Sequence, residues 1–433
     1  MDTTCHCFAP RRTALAAALL GAFAAGGTRA DELGDLKAQL DTLQKKVTAL
    51  EAAASEPKPA TVTAGPTPGS FRLPGASTSV TIGGYVKLDA IFSDRSAGAG
   101  NVADQQLSPG SIPVGPDAGA NERNQLKVHA RQSRIFFRTA TPTAWGELTT
   151  YQEYDLFGAA GTENVTNSNG LRARHLYGSL GHLLAGQTWT TLSEPAAYPE
   201  TLDFGGAAGV IFARQAQLRW TQPFAGGEWS VAVENPETVV AASTGASLAA
   251  DDDRLPDLAA NAKFQTRFGK YTIAAGVRQL RLDSASAPAS VAHKFGGTVG
   301  VNAVVPFGAD DLRASAYVGN AIGRYANGFF NDAFVAADGH LSLARQWVAF
   351  AAYRHFWAPG LRSTLALSQA QSANAEGTGG TVNRSARSAH LNLIWSPVPQ
   401  TNFGLELIAA RRETQDGQSG SLHRLQASAQ YLF

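Results

Sequence analysis

Beyond Ser79, apolar and polar positions alternate with a period of two. In the stretch 80–90, Val80, Ile82, Val86, Leu88 and Ala90 take the even positions, and Thr81, Lys87 and Asp89 fall between them. The last segment does the same: Leu425, Ala427, Ala429, Tyr431 and Phe433 share one face, and Arg424, Gln426, Ser428 and Gln430 the other. Alternation over 10 or more residues outlasts the five or six of an ordinary globular strand. It matches the 9–11 residues that a tilted strand needs to cross a bilayer. Seven tight connections are marked near Pro142, Gly181, Pro223 to Gly227, Gly269, Pro306 to Asp310, Pro359-Gly360 and Pro397 to Gln400. Eight longer polar ones, near 95–125, 158–169, 190–208, 235–256, 283–290, 322–340, 371–385 and 413–420, alternate with them. Fifteen connections predict sixteen antiparallel strands over 79–433: an all-β transmembrane barrel with short turns at one end and long loops at the other. Aromatic residues band beside the short turns, from Phe137, Trp145, Trp220, Phe224 and Trp229 through Phe268, Tyr271, Phe307 and Trp357 to Trp395, Phe403, Tyr431 and Phe433. Such a band is an interfacial girdle.

Ahead of the strands the period changes. Leu33, Leu36, Leu40, Leu43, Val47 and Leu50 are spaced 3-4-3-4-3, the a/d seam of a heptad repeat, so 31–54 reads as a self-associating helical coiled coil. Residues 55–78, rich in Pro, Ala and Thr, read as an extended linker. At the start, Arg11-Arg12, the apolar run 13–27 and Thr28-Arg29-Ala30 have the plan of a secretory leader cleaved after Ala30. Cys5 and Cys7, the two cysteines, both lie in that leader, so the mature chain is expected to hold none, and Cys5-His6-Cys7 is no metal site.

Composition changes the picture in one respect. Charged residues make up only 16% and glycine contributes 44 of 433 positions, a charge density below the ~25% of soluble domains. The balance of 36 basic against 35 acidic residues argues against a nucleic-acid partner. Yet 27 of those 36 are arginine. With the apolar set of each strand turned to lipid, the inward set includes Lys87, Arg134, Arg138, Arg172, Arg174, Arg219, Lys263, Arg267, Arg278, Lys294, Arg313, Arg354, Arg362, Arg412 and Arg424. Inward acids are Asp89, Glu147, Glu153, Glu234 and Glu406, whereas Asp251 to Asp253, Asp310-Asp311 and Asp338 read as loop or turn residues. The expectation is a lumen about ten charges positive (15 minus 5) inside a neutral chain. Lipid exclusion explains why strand arginines point inward, since one at mid-membrane costs ~2–4 kcal/mol. It does not explain the sign, and an inward excess of cations concentrates anions. A guanidinium adds a fork matched to carboxylate or phosphate. Arg214 and Arg387 fall on the lipid side by strict parity, so a bulge, a rim or a subunit contact is expected there. The third long connection, 190–208, carries Pro195, Tyr198, Pro199 and Phe204 and is stiffer than its neighbours. Folded into the barrel it would set Glu194, Glu200 and Asp203 against the arginine wall; as a surface cap it would not.

Several blocks are specific. Phe71-Arg72-Leu73-Pro74-Gly75, Ile82-Gly83-Gly84-Tyr85-Val86-Lys87-Leu88-Asp89, Leu184-Ala185-Gly186-Gln187-Thr188-Trp189, Arg214-Gln215-Ala216-Gln217-Leu218-Arg219-Trp220 and Tyr353-Arg354-His355-Phe356-Trp357 resemble the DcaP-like trimeric porins. The resemblance implies a homotrimer in the Gram-negative outer membrane, contacting its lipid and lipopolysaccharide. It also implies a periplasmic coiled coil and passage of small anions such as dicarboxylates; periodicity shows none of this. No cofactor or metal site is expected. An enzyme is disfavoured because His129, His175, His293, His355 and His390 are scattered over different strands without Ser/Asp partners. The alternative is a structural anchor or adhesin that grips peptidoglycan through the coiled coil.

Overall fold

The computed structural model describes residues 29–55, 61–95, 102–119, 123–159, 164–242, 245–250, 253–283, 292–335 and 340–433. Of the expected leader, 1–30, residues 1–28 lie outside them. The chain divides into two units at Thr61.

In the first unit, residues Arg29–Ser55 form one helix, α1. Its seam residues Leu36, Leu40, Leu43, Val47 and Leu50 are all at least half exposed.

The second unit is a closed barrel of sixteen antiparallel strands. In order they are β1 (Ser79–Arg95), β2 (Arg123–His129 and Arg134–Thr143), β3 (Gly146–Asp155), β4 (Arg172–Leu180), β5 (Leu183–Trp189) and β6 (Arg214–Phe224). Next come β7 (Gly227–Glu234), β8 (Asp257–Thr266), β9 (Gly269–Leu282), β10 (Ala292–Phe307) and β11 (Asp310–Gly319). The last are β12 (Arg345–Ala358), β13 (Leu361–Ala373), β14 (Asn383–Trp395), β15 (Thr401–Thr414) and β16 (Ser419–Leu432). Each pairs with its neighbour, and β16 returns to β1 with Leu425 opposite Phe92 and Tyr431 opposite Val86. Closure leaves no sheet edge unpaired in lipid. All seven tight turns fall at one end, and Trp145, Phe268, Phe307, Trp357, Trp395 and Phe433 beside them are exposed on the outside.

Three features depart from the sequence reading. Part of the 55–78 stretch is ordered, not simply extended: Thr63–Ala64 pairs with Ser70–Arg72, which pairs in turn with Ser79 to Thr81 at the foot of β1. The connection expected over 413–420 is a tight turn of four residues between Thr414 and Ser419, with Gly417 at φ 81°. Finally, the long loops enter the barrel. Tyr325, Ile322, Phe329 and Phe330 of the β11–β12 loop are buried with Leu192 and Ile211 of the β5–β6 loop, against the inward-facing Tyr317, Val348, Ala370 and Ala386. Leu107 and Ile112 of the β1–β2 loop pack on inward-facing Ile408, Ala410 and Leu422. Thr238–Ala241 and Ser247–Ala250 of the β7–β8 loop form a four-stranded sheet with Ala333–Val335 and Leu341–Leu343 of the β11–β12 loop. A sixteen-stranded interior is too wide for wall side chains alone to fill. Here loops fill much of it.

Candidate functional site

The β5–β6 loop, 190–213, runs along the inner wall and is fastened at several points. At its start Thr191 N donates to Glu234 Oε1 (2.6 Å), and Asn261 Nδ2 donates to Thr191 O (2.7 Å). Glu194 caps the turn Pro195–Ala197, accepts from Thr272 Oγ1 (3.0 Å) and lies 3.4 Å from Lys263. The Tyr198 hydroxyl donates to Ile211 O, and Tyr198 O accepts from Arg313 (2.8 Å). Leu202 N donates to Glu406 (2.6 Å), while Leu202 O accepts from Lys87 Nζ (2.6 Å), Gln132 (3.1 Å) and Gln426 (3.1 Å). Close approach at the end of the loop demands glycine: a Cβ on Gly209 would lie 2.2 Å from Ala349 O and 2.7 Å from Gln369 O.

Two arginine clusters lie on opposite arcs of the wall. On β2–β4, Arg134, Arg172 and Arg174 share the carboxylates of Glu153 and Asp155, at 2.6–3.4 Å. A β-bulge makes this possible. Glu153 faces His175 while Tyr154 faces Ala173, so Arg174 is the extra residue, and both it and His175 turn inward. Phe204 of the loop lies under the Arg172 and Arg174 guanidiniums (5.1 and 5.4 Å). On β11–β13, Arg313, Arg354 and Arg362 share Asp311 and Glu200. Arg362 Nη2 donates to Glu200 Oε1 (2.6 Å) and its Nε to Oε2 (2.9 Å), a two-pronged grip; Arg354 reaches Glu200 at 3.3 Å and Asp311 at 2.9 Å. Each cluster sets three guanidiniums against two carboxylates. In a ring of sixteen, β3 and β12 are nine strands apart one way and seven the other, so the clusters stand across the lumen from each other.

The loop acids are tuned in opposite directions. Burial alone would raise the Glu200 carboxyl, but the Arg362 and Arg354 guanidiniums outweigh it and hold the group below the ordinary glutamate value. Asp203 is fully buried, and burial pushes its carboxyl up against the pull of Arg424, 3.9 Å away. Its oxygens accept the backbone N–H groups of Leu107 (2.8 Å) and Gly205 (2.7 Å), which ties the β1–β2 loop to this one.

The remaining predicted residues sort by environment. Lys87 is buried, 3.1 Å from Asp89 and 2.8 Å from Gln132. Arg424 is buried beside Ser93 (2.9 Å), and Arg412 bonds Asn383 (2.7 Å) and Ile112 O (3.0 Å). Arg278 is consumed structurally: it holds Asp257 (2.9 Å) and Asp332 (2.5 Å), clamping the β7–β8 and β11–β12 loops together. Lys263 bridges Glu194 and Glu228 (3.3 Å). Arg138, opposite Thr81 and Tyr151 on the inner face, is exposed and makes no ion pair among the described residues. Arg219 is half-buried and likewise without an ion pair. Lys294 is exposed close to the long-loop end of β10.

Two expectations need correction. Arg267 is not on the wall; it sits in the tight turn between Thr266 and Gly269, exposed, over the Phe268 ring at 4.4 Å. The expected inward excess of about ten positive charges is also too large. Asp311, read as a turn residue, and Asp155, Asp257 and Asp332, absent from the inward count, stand at strand ends or in a loop, yet each holds an inward arginine. Glu147, counted as inward, is exposed beside a short turn. Arg214, doubtful by parity, stacks on Trp189 and Phe212 (5.0 and 5.1 Å) where β6 begins. Only the interruption of alternation at 130–133 marks Arg131 in the sequence, a residue buried in the break of β2 with Gln105 (2.7 Å). No group of three or more His, Cys, Asp or Glu among the described residues is placed to hold a metal.

Residues 72–433 match the family model described as DcaP outer membrane protein. Among solved structures, the outer membrane channel DcaP of Acinetobacter baumannii superposes with a TM-score of 0.71 at 22% identity, covering 83% of this chain and 98% of that one. An anion-selective porin from Comamonas acidovorans gives 0.53 at 12% identity over 82% and 100% of the two chains. The trimer form of OmpT from Vibrio cholerae gives 0.51 at 10% identity over 83% and 100%. Comparison with curated proteins finds no match.

Proposed function

The chain belongs to the DcaP outer membrane protein family, and from there we propose that it is a passive diffusion channel that favours small anions, dicarboxylates among them. The carrying observation is the imbalance within each arginine cluster: three guanidiniums share two carboxylates on β2–β4 and again on β11–β13. Each cluster keeps a net positive charge after its internal pairing, and Arg138 and Arg219 add to it. An anion meets donors on two sides of a passage that the β5–β6 loop narrows. A solute with two carboxylates can engage both arcs in succession, exchanging the forked contacts that each guanidinium offers. Because the arginines of both clusters are already partly neutralised, binding there stays weak enough for release, which conduction requires. That the Comamonas acidovorans porin is an anion-selective one is in keeping with this reading.

We further propose that the protein assembles as a homotrimer, with α1 as a periplasmic three-chain coiled coil. The exposed leucine seam supports this, since a helix with an unpartnered a/d stripe buries it by association. The test is a planar-bilayer recording in a KCl gradient, followed by liposome swelling with mono- and dicarboxylates. Reversal on the chloride side and faster swelling with dicarboxylates are expected. Cation preference would overturn the selectivity, and a non-conducting barrel would favour the anchor or adhesin reading.

A further inference from the structure

The outer face carries a charge that the channel does not use. Arg387 on β14 and Arg411 on β15 are directly opposite each other in the strand register, both exposed, both on the side that holds Leu391, Leu407 and Leu425. Like charges directly opposite across strands repel, and a lipid-facing guanidinium is costly. Neither forms an ion pair among the described residues; Arg411 donates only to Ser419 Oγ (3.0 Å). The neighbouring outward carboxylates are spoken for, Glu413 by Arg384 (3.4 Å) and Asp94 by His423 (2.7 Å). Spare negative charge for this pair must therefore come from outside the chain.

Position says what kind. Arg387 is four residues inside the long-loop end of β14 and Arg411 three inside that of β15. At ~3.3 Å per residue and ~45° tilt, this sets them roughly 7–9 Å below the strand ends. Long loops face the exterior, so the pair lies at the headgroup boundary of the outer leaflet. Directly below, Ala389 opposes Ala409, and these small residues floor a groove of about 380 Å³ flanked by Leu367. Two guanidiniums beside a trough floored by alanines and edged by Gln369, Ser421 and His423 match a lipid with a phosphorylated headgroup: the forks take the phosphate, the polar edge the headgroup, and the alanine floor with Leu367 the upper part of an acyl chain. We propose that this face is a binding site for a phosphorylated outer-leaflet lipid of the lipid A kind. The pairing of Asp94 and Glu413 within the chain disfavours a second copy of the protein as occupant.

Native mass spectrometry of the full-length protein in detergent tests this with two probes, bisphosphorylated lipid A and the same lipid with its phosphates removed. The protein should retain the first and not the second. Arg387→Gln with Arg411→Gln should cut retention by about tenfold or more, as loss of charge-assisted hydrogen bonds implies. Folding is checked by heat-modifiable gel mobility. If the double variant does not fold, Arg387→Gln and Arg411→Gln separately carry the test, each with intermediate retention. Equal retention of both lipids, or retention unaffected by the substitutions, overturns the proposal. So does a changed subunit number with unchanged lipid, which would make the face a contact between copies.

Discussion

Glu200→Gln isolates the charge logic of the lumen. The substitution is nearly isosteric, and the loop keeps its other anchors: Leu202 N on Glu406, Lys87 on Leu202 O, and Asn392 on Glu200 O (2.6 Å). It removes one negative charge from between Arg354 and Arg362, taking the β11–β13 cluster from a net of one positive charge to two. For a monovalent anion passing ~5 Å from the freed charge, Coulomb's law in water gives ~0.8 kcal/mol, about fourfold in local concentration. Screening at 0.1 M salt reduces this to about twofold, and a less polarisable passage raises it. The expected result is a two- to fourfold rise in the anion-to-cation permeability ratio, read from reversal potentials in a KCl gradient. Acidification should do the same to the wild type. Because the Glu200 carboxyl is held below its ordinary value, its grip on the arginines is complete above pH ~4.3. The grip is lost as pH falls through the lowered value. Wild type should therefore gain anion preference below that range, and Glu200→Gln should gain less, since only its remaining lumen carboxylates can still protonate. An unchanged ratio in a folded variant refutes the reasoning, because it means that Arg354 and Arg362 do not border the conducting path.

Other outcomes follow from the same structure. Arg138→Glu reverses an inward charge that no carboxylate balances, and it should lower the anion-to-cation permeability ratio severalfold with barrel assembly intact. Gly209→Ala forces a methyl against Ala349 O and Gln369 O, which should cost ~1–3 kcal/mol and loosen the loop; a lower thermal midpoint and a larger single-channel conductance are the readouts. Glu406→Ala leaves Leu202 N and His390 without their buried acceptor, a loss of ~1–3 kcal/mol visible as a lower temperature for the heat-modifiable gel shift. In a chain whose two cysteines are Cys5 and Cys7, Leu43→Cys in a Cys5→Ser, Cys7→Ser background should form interchain disulfides on oxidation if the α1 seams meet; monomers on a non-reducing gel would count against the coiled coil.

The barrel was legible because its two solvents leave a two-residue period, and because Pro and Gly punctuate the tight ends. Pro142, Gly181 and Pro359-Gly360 each fall within or beside an observed turn. Lipid exclusion sorts strand arginines only in part: Arg267, read as inward, stands in a turn, and Arg214, doubtful by parity, stacks on Trp189 where β6 begins. Partners were illegible for a physical reason. Asp155, Asp257 and Asp311 stand at strand ends, where alternation no longer tells wall from loop, so their neutralising role emerged only in three dimensions. The bulge at Arg174 is a one-residue register change with no local mark in the sequence. Burial of the β11–β12 loop was hidden as well. Tyr325, Phe329 and Phe330 carry no period, and an aromatic residue in a polar loop reads the same whether it covers a rim or fills a lumen.

The small sheet shared by the β7–β8 and β11–β12 loops has an evolutionary consequence. Its two halves are joined by Val240 pairing with Ala333 and by Arg278 holding both Asp257 and Asp332. Loops of this kind ordinarily vary one at a time, since each answers only to solvent. Here a lengthening of one shifts the strand that registers the other, so viable changes at the mouth must come in matched pairs. Relatives that differ in solute range through this region should show their insertions in both loops together, while the four-residue turn between β15 and β16 stays free to drift alone.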